Sequence, residues 1–467
     1  MANITESGWY NLSVPGDDDL TFSESKVAWG VLDATINTIY ELSSEPVSDG
    51  SSLTTANWSR LNDDTTLSPY KGYWVDLTLR EWVQKHQIIG DNNNDKIGWS
   101  VDISKDGTVL AVGKPGIDQV DVYETTDGGE TWTQKGNSID PGDDNTPSVY
   151  GKSVSLNSDG SIIAIGDPTG NFAEVYEYNS NDSEWTQLGS TLQVKYDENG
   201  DVITDDGVLQ RVQLDSNGNT IILGDRDNDL VNVYSYEDGE WSLKGGAMKG
   251  DDGEYFGCSV AINSDGTIIA VGSQLAESNK GAVTVYEYSS GDWAKKGETQ
   301  CGTNDGDKMG SQVELNADGT ILAAGSSYGD NDEESTTDTG YVRIWQYQSD
   351  GWVQLGQDIE GVDTDDNCCK IGMNDDGDRI IIGFPGHTAT DETPEGFVRT
   401  YVYNSVDYSW DQNGETLNGI EENDVFGYSV SMNDSGDTIA VGSPFYPYDA
   451  DSYSYNGFVQ IHKLESY

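Results

Sequence analysis

From residue 79 onward the chain alternates short apolar runs with polar turns, and the runs are too short for helices. The stretch Gly151-Lys152-Ser153-Val154-Ser155-Leu156-Asn157-Ser158-Asp159-Gly160-Ser161-Ile162-Ile163-Ala164-Ile165-Gly166 shows the unit: a strand, an Asp-Gly turn and a second apolar strand ending in glycine. The unit recurs seven times. Its turn pairs are Asp106-Gly107, Asp159-Gly160, Asn217-Gly218, Asp265-Gly266, Asp318-Gly319, Asp376-Gly377 and Ser435-Gly436, and its closing glycines are Gly113, Gly166, Gly224, Gly272, Gly325, Gly383 and Gly442. A third strand carrying an aromatic follows, as in Val231-Asn232-Val233-Tyr234. A fourth begins at Trp132, Trp185, Trp241, Trp293, Trp352 or Trp410, usually running on to Gln or Lys and then Gly. A period of about 55 residues with four antiparallel strands per unit predicts blades, and helix signals are nearly absent.

The seventh unit ends after its third strand, Val459-Gln460-Ile461-His462, without a Trp strand. The missing strand stands ahead of the first unit, where Trp82-Val83-Gln84-Lys85 matches Trp352-Val353-Gln354-Leu355. If that strand completes the last blade, no sheet edge is left unpaired. The expected fold is all-β: a seven-bladed β-propeller of four-stranded blades over residues 79–467, closed by an N-terminal strand and preceded by a small β domain over residues 1–78. The repeat resembles those of FG-GAP, integrin-like propellers, and more closely the "SVSLSxDGxxxAIGAP" repeats of marine viral, algal and bacterial surface proteins. In residues 1–78, Gly8-Trp9-Tyr10-Asn11-Leu12 and Pro69-Tyr70-Lys71-Gly72-Tyr73-Trp74-Val75 resemble a "GWN...PGKGYWV" signature of modular surface proteins. That likeness implies an attachment or docking role.

Charge narrows the partners. With 83 acidic against 24 basic residues the formal net charge is -59, which speaks against nucleic acid or an anionic membrane, since both need clustered Lys and Arg. Such self-repulsion is screened in salt, so a saline setting is expected. The four cysteines, Cys258, Cys301, Cys368 and Cys369, have neither metal-ligand spacing nor a disulfide framework and read as buried small hydrophobes. The first residues lack the basic start and apolar core of a signal peptide, and no run of 18 apolar residues occurs.

Four features carry candidate chemistry. Thr125-Thr126-Asp127-Gly128-Gly129-Glu130-Thr131-Trp132 resembles the Asp-box of sialidase propellers, which implies a structural hairpin between strands three and four. The arginine cluster such an enzyme needs has no counterpart, since only Arg343 and Arg399 occupy matching strand positions, and His86, His387 and His462 stand in unrelated contexts. An acid recurs three residues ahead of strand one as Asp95, Asp206, Glu254, Asp307, Asp365 and Asp424. This acidic rim reads either as side-chain caps for loop N–H groups or as divalent-cation ligands. Asp197, Asn199, Asp201 and Asp205 have a spacing similar to integrin-type calcium loops, although Val-Ile-Thr after Asp201 also suits a plain hairpin, so Ca2+ is the one cofactor expected. Finally, blades five to seven carry long loops between strands two and three. The last holds Tyr446, Tyr448, Tyr453 and Tyr455 among acids, a composition suited to stacking on a sugar or to a protein contact.

Together these features predict a non-enzymatic virion or surface structural protein, phage or algal-virus in type. Its propeller face would bind a host glycan or protein receptor, and its first domain would join it to other assembly proteins at the virion or extracellular surface. No membrane insertion is expected, and release by lysis would need no export signal. The alternatives are a propeller glycan hydrolase and an intracellular interaction scaffold.

Overall fold

The structure is a computed structural model that describes residues 72–91, 94–142, 149–194, 209–327, 339–349, 351–361, 370–386, 396–420, 424–445 and 456–466, with strands Gly8–Ser13, Ala34–Leu42 and Trp58–Arg60. Seven antiparallel sheets follow one another along the chain, giving a seven-bladed β-propeller. In blade two, Ser153–Leu156 pairs with Ile162–Asp167, that strand with Phe172–Asn179, and the last with Glu184–Gln187. The innermost strands of the other blades are Val101–Ile103, Leu209–Leu214, Phe256–Ile262, Met309–Leu315, Lys370–Met373 and Ser429–Met432.

The turn pairs act as the sequence predicts, with their glycines at φ between 64° and 73°. An upstream side chain secures each turn. In blade two, Asn157 Oδ1 accepts the N–H groups of Ser161 and Ile162, both at 2.9 Å, and Asp159 Oδ1 accepts that of Ser161 at 3.0 Å. Asn263, Asn316 and Asn433 repeat the device, and Ser104 and Asp215 substitute for Asn in blades one and three.

Closure is by the N-terminal strand. Gly72–Ile89 lies against Phe458–Ser466, which pairs with Thr438–Ser443, and that strand with Ser429–Met432. Two compact units result: residues 1–83 with 413–415 and 464–467, and residues 84–412 with 416–463. Within the first, Gly8–Ser13 and Ala34–Leu42 both pair antiparallel with residues 72–79, and residues 40–42 pair with Trp58–Arg60.

The Trp motif of strand four explains how neighbouring blades lock. Trp241 Nε1 donates to the Leu188 carbonyl of the preceding blade at 2.8 Å. Trp185, Trp293, Trp352 and Trp410 donate likewise to Lys135, Lys244, Lys296 and Leu355, and Trp82 to Asn413. The indole edge rests on the glycine that follows each acceptor, where a Cβ would lie 2.6 to 3.0 Å from Cδ1. Those glycines, Gly136, Gly189, Gly245, Gly297, Gly356 and Gly414, all have φ between 75° and 88°. Strand four breaks at this glycine in blades three to six and resumes as a two-residue strand on the start of strand three. Trp132 departs from the pattern and donates to Gly129 in its own hairpin. At that seam Lys85 of blade seven reaches Glu130 of blade one at 2.6 Å.

The closing glycines make a second lock. A Cβ on Gly272 would lie 2.1 Å from the Gly310 carbonyl oxygen of the next blade, so two backbones touch where any side chain would part them. Ser259 Oγ donates to that same carbonyl at 2.7 Å, and Ser100 and Ser429 do so to Gly151 and Gly98. Between these locks the sheets bury apolar layers, as where Ile222, Val231 and Val233 meet Val260, Ile262, Ile269 and Val271. Among the described residues no helix is long and apolar enough to cross a membrane.

Candidate functional site at the mouth of the bore

The seven innermost strands surround a cavity of about 250 Å³. Their inner edges carry backbone N–H groups that need acceptors, and side chains of neighbouring blades supply them. Asp102 Oδ2 accepts from Leu156 N at 2.7 Å, Ser155 Oγ from Leu214 N at 3.0 Å, Gln213 Oε1 from Ile262 N at 2.7 Å and Ser431 Oγ from Ile103 N at 3.1 Å. At the end where strand one enters its turn, backbone bonds of 2.9 to 3.1 Å run from blade to blade: Lys105 to Ser158, Ser158 to Ser216, Ser216 to Ser264, Ser264 to Ala317, Ala317 to Asp375, and Asp434 to Lys105. Lys105 Nζ crosses this ring to Ser264 Oγ at 2.6 Å and Asp375 Oδ2 at 2.7 Å. The side chain of blade one thus reaches across this end of the bore to blades four and six.

At the other end the repeat is broken. The position held by Ser100, Ser259 and Ser429 in blades one, four and seven is Arg211, Gln312 and Lys370 in blades three, five and six. Arg211 donates to Gln312 Oε1 at 2.7 Å, and Arg211, Gln312 and Lys370 all line the cavity with Lys152. Trp99 and Tyr428 line it too, their rings 4.9 Å apart and edge-on, with Phe445 at 5.7 Å from both. Lys96 and Lys152 stand 5.6 and 5.5 Å from the Trp99 ring, and Lys370 stands 5.4 Å from that of Tyr428.

Burial dominates the electrostatics. Lys152 is held below the usual lysine range by burial, then by Arg226 and Lys96. Deeper in the bore, burial pushes Glu314 up to about 8, Asp102 adding to the rise and Arg211 opposing it, and burial pushes Asp102 up to about 6 against its hydrogen bonds from Leu156 and Ser431. Glu314 is therefore largely protonated at neutral pH.

Solved structures of similar shape are propellers. One is titled Kuenenia stuttgartiensis Hydrazine Synthase, with a TM-score of 0.51 at 13% identity over 79% of this chain and 96% of that one. Another is titled Crystal Structure of Mitotic Checkpoint Complex, with a TM-score of 0.50 at 13% identity over 80% of this chain and 91% of that one. The likeness is one of fold. No family model matches the chain, and no curated protein matches its sequence.

Of the acids ahead of strand one, Asp307 and Asp424 cap loop N–H groups. Asp307 is buried, and its Oδ2 accepts from Thr303 N, Asn304 N and Tyr341 Oη at 2.9 to 3.0 Å. Asp424 Oδ2 accepts from Ile420 N at 2.7 Å, and Asp95 is buried. Glu254 is half-buried and held above the usual range by burial and by Asp251, Asp229 and Glu277. Asp206 and Asp365 lie outside the described residues, as do the loop residues Asp197, Asn199, Asp201 and Asp205 and the tyrosines Tyr446, Tyr448, Tyr453 and Tyr455. Among the described residues no three His, Cys, Asp or Glu gather as a metal cluster.

The Asp-box forms the expected hairpin: Asp127 accepts from Thr131 N at 2.9 Å, Thr131 Oγ1 at 2.6 Å and Thr125 Oγ1 at 2.9 Å. Arg343 is ion-paired to Asp358 at 2.6 Å, and Arg399 donates to Thr416 Oγ1 at 2.9 Å. One expectation is corrected. Cys258 is buried, but Cys301 is exposed, because it lies on the two-residue strand Gln300–Cys301 at the edge of its sheet.

Proposed function

We propose that this chain is a non-enzymatic surface or virion component whose propeller binds a host glycan or protein receptor, with the mouth of the bore as the contact site. The observation that carries this reading is the break in the repeat there. Serines that join blades elsewhere give way to Arg211, Gln312 and Lys370, beside the rings of Trp99, Tyr428 and Phe445. Residues that leave a structural role and converge on a cavity with aromatic walls suit a sugar, whose apolar face stacks and whose hydroxyls take hydrogen bonds.

A glycan hydrolase is the second reading, favoured by Glu314, an acid held protonated near neutral pH inside the bore. Against it, both oxygens of its nearest acid, Asp102, already accept structural hydrogen bonds. A glycan panel with product analysis separates the two. The expected result is retention of a subset of glycans without turnover, and cleavage of any retained glycan would overturn the binding-only reading.

A further inference from the structure

Resting on the glycan-binding reading, we infer that the mouth of the bore takes an anionic sugar residue. Its carboxylate would lie between Lys152, Arg211 and Lys370, and its ring against Trp99 or Tyr428.

The sign of the charge carries the argument. In a chain with 83 acids and 24 bases, cations are scarce, yet Lys96, Lys152, Arg211, Arg226 and Lys370 cluster around one opening. Several lysines away from this opening sit on carboxylates, as Lys85 on Glu130, Lys105 on Asp375, Lys114 on Asp121, Lys135 on Glu124 and Lys296 on Glu287, and at the opening Arg226 pairs with its neighbour Asp227 at 3.1 Å. Among the described residues no carboxylate lies within ion-pair distance of Lys152, whose charged neighbours are themselves cations. Holding like charges together at a half-buried site is unfavourable, and an anion arriving there relieves it.

Shape narrows the ligand further. Lys105 crosses the far end of the cavity, and about 250 Å³ is below the range of drug-sized sites, so it admits one sugar ring and no folded segment. Arg211 presents a planar fork suited to a carboxylate, and the two lysines add point charges. Aromatic walls on the blade-one and blade-seven side face these cations, so one ring can stack while its acid group points across the bore.

The test is calorimetric titration of the full chain in 0.15 M and 0.5 M NaCl with four probes: tri-galacturonate, neutral galactotriose, a sulfated galactotriose and a hexaglutamate peptide. We expect tri-galacturonate to bind with affinity that falls with salt, and Lys152→Ala and Arg211→Ala each to weaken it by roughly 10- to 100-fold, the size of one charge-assisted contact. Lys296→Ala, remote and ion-paired, should leave it unchanged, and unaltered melting temperatures would show that the variants fold. Equal binding of the neutral sugar overturns the charge assignment while leaving glycan binding standing. Binding of the sulfated sugar alone overturns the carboxylate, and binding of the peptide alone overturns the sugar. If none of the probes binds, the inference and the glycan reading fall together.

Discussion

The contact between Gly189 and Trp241 offers the sharpest test of why the Trp motif ends in glycine. Gly189→Ala meets two obstacles. Its φ of 75° is left-handed, which costs about 1–2 kcal/mol for an L-residue, and its new Cβ would lie 2.6 Å from Trp241 Cδ1. Trp241 is buried and pinned by its bond to Leu188, so the indole cannot swing aside, and overpacking of this kind adds about 1–3 kcal/mol. The single variant should therefore lose about 2–5 kcal/mol. In a Trp241→Ala background the indole is gone, leaving the backbone term of about 1–2 kcal/mol and a looser contact with Tyr236 Cε2 at 3.1 Å. The assay is a double-mutant cycle by urea unfolding in 0.5 M NaCl, followed by circular dichroism so that loss of a tryptophan does not disturb the signal, and the expected coupling is about 1–3 kcal/mol. If Gly189→Ala costs the same in both backgrounds to within about 0.5 kcal/mol, the indole is not the reason for glycine, and the interblade lock is misread.

Three further outcomes are expected. Deleting residues 1–89 removes the buried Trp82 and Ile88, about 1.5–3 kcal/mol each, and bares Phe458–Ser466 as an edge, so the melting temperature should drop sharply; deleting residues 1–71 keeps the closing strand and should spare the ring. Glu314, flanked by Arg211, Gln312, Gln213 and Asp102, has a folded pKa of about 8 against an ordinary 4.5, so the folded state binds the extra proton and stability should fall as pH rises across that interval. Glu314→Gln should remove that fall, and parallel pH–stability curves for variant and wild type would contradict it. Hydrogen bonds from Thr131 and then Thr125 hold Asp127 down at about 2, so its hairpin should be firm above the usual carboxylate range and loosen as pH falls toward 2; Asp127→Ala should speed amide exchange at Thr131 at neutral pH.

The blades were legible because each strand and turn is local. Asp159-Gly160 and the apolar run to Gly166 declare a hairpin without reference to any other blade. Closure was legible through arithmetic, since a fourth strand lacking at one end reappeared at Trp82. The locks between blades were not, because Gly272 touching Gly310, or Trp241 resting on Gly189, is a relation between repeats that appears only when the sheets stand side by side. The bore site was hidden for a similar reason. Arg211, Gln312 and Lys370 look like ordinary polar residues until the seven units are aligned on their turn glycines, when they fall where other blades have serine. The signal for the site therefore lies in the substituted strand-one position, not in the loops or the recurring acids.

The junction that shuts the ring also governs how the chain can reach its folded state. Trp82 and Asn413 meet at a sequence separation of 331, so this contact forms only after most of the polypeptide has been ordered, a high-contact-order step that is slow. Until then the third strand of blade seven presents an open edge, and an incoming strand from a second molecule satisfies it as well as the chain's own. The neighbouring seam lacks an interblade indole bond, and on its outer side Lys85 meets the largely exposed Glu130 instead. At high protein concentration, refolding should therefore yield strand-exchanged dimers linked through residues 72–89, separable by size and resolved by dilution and slow refolding.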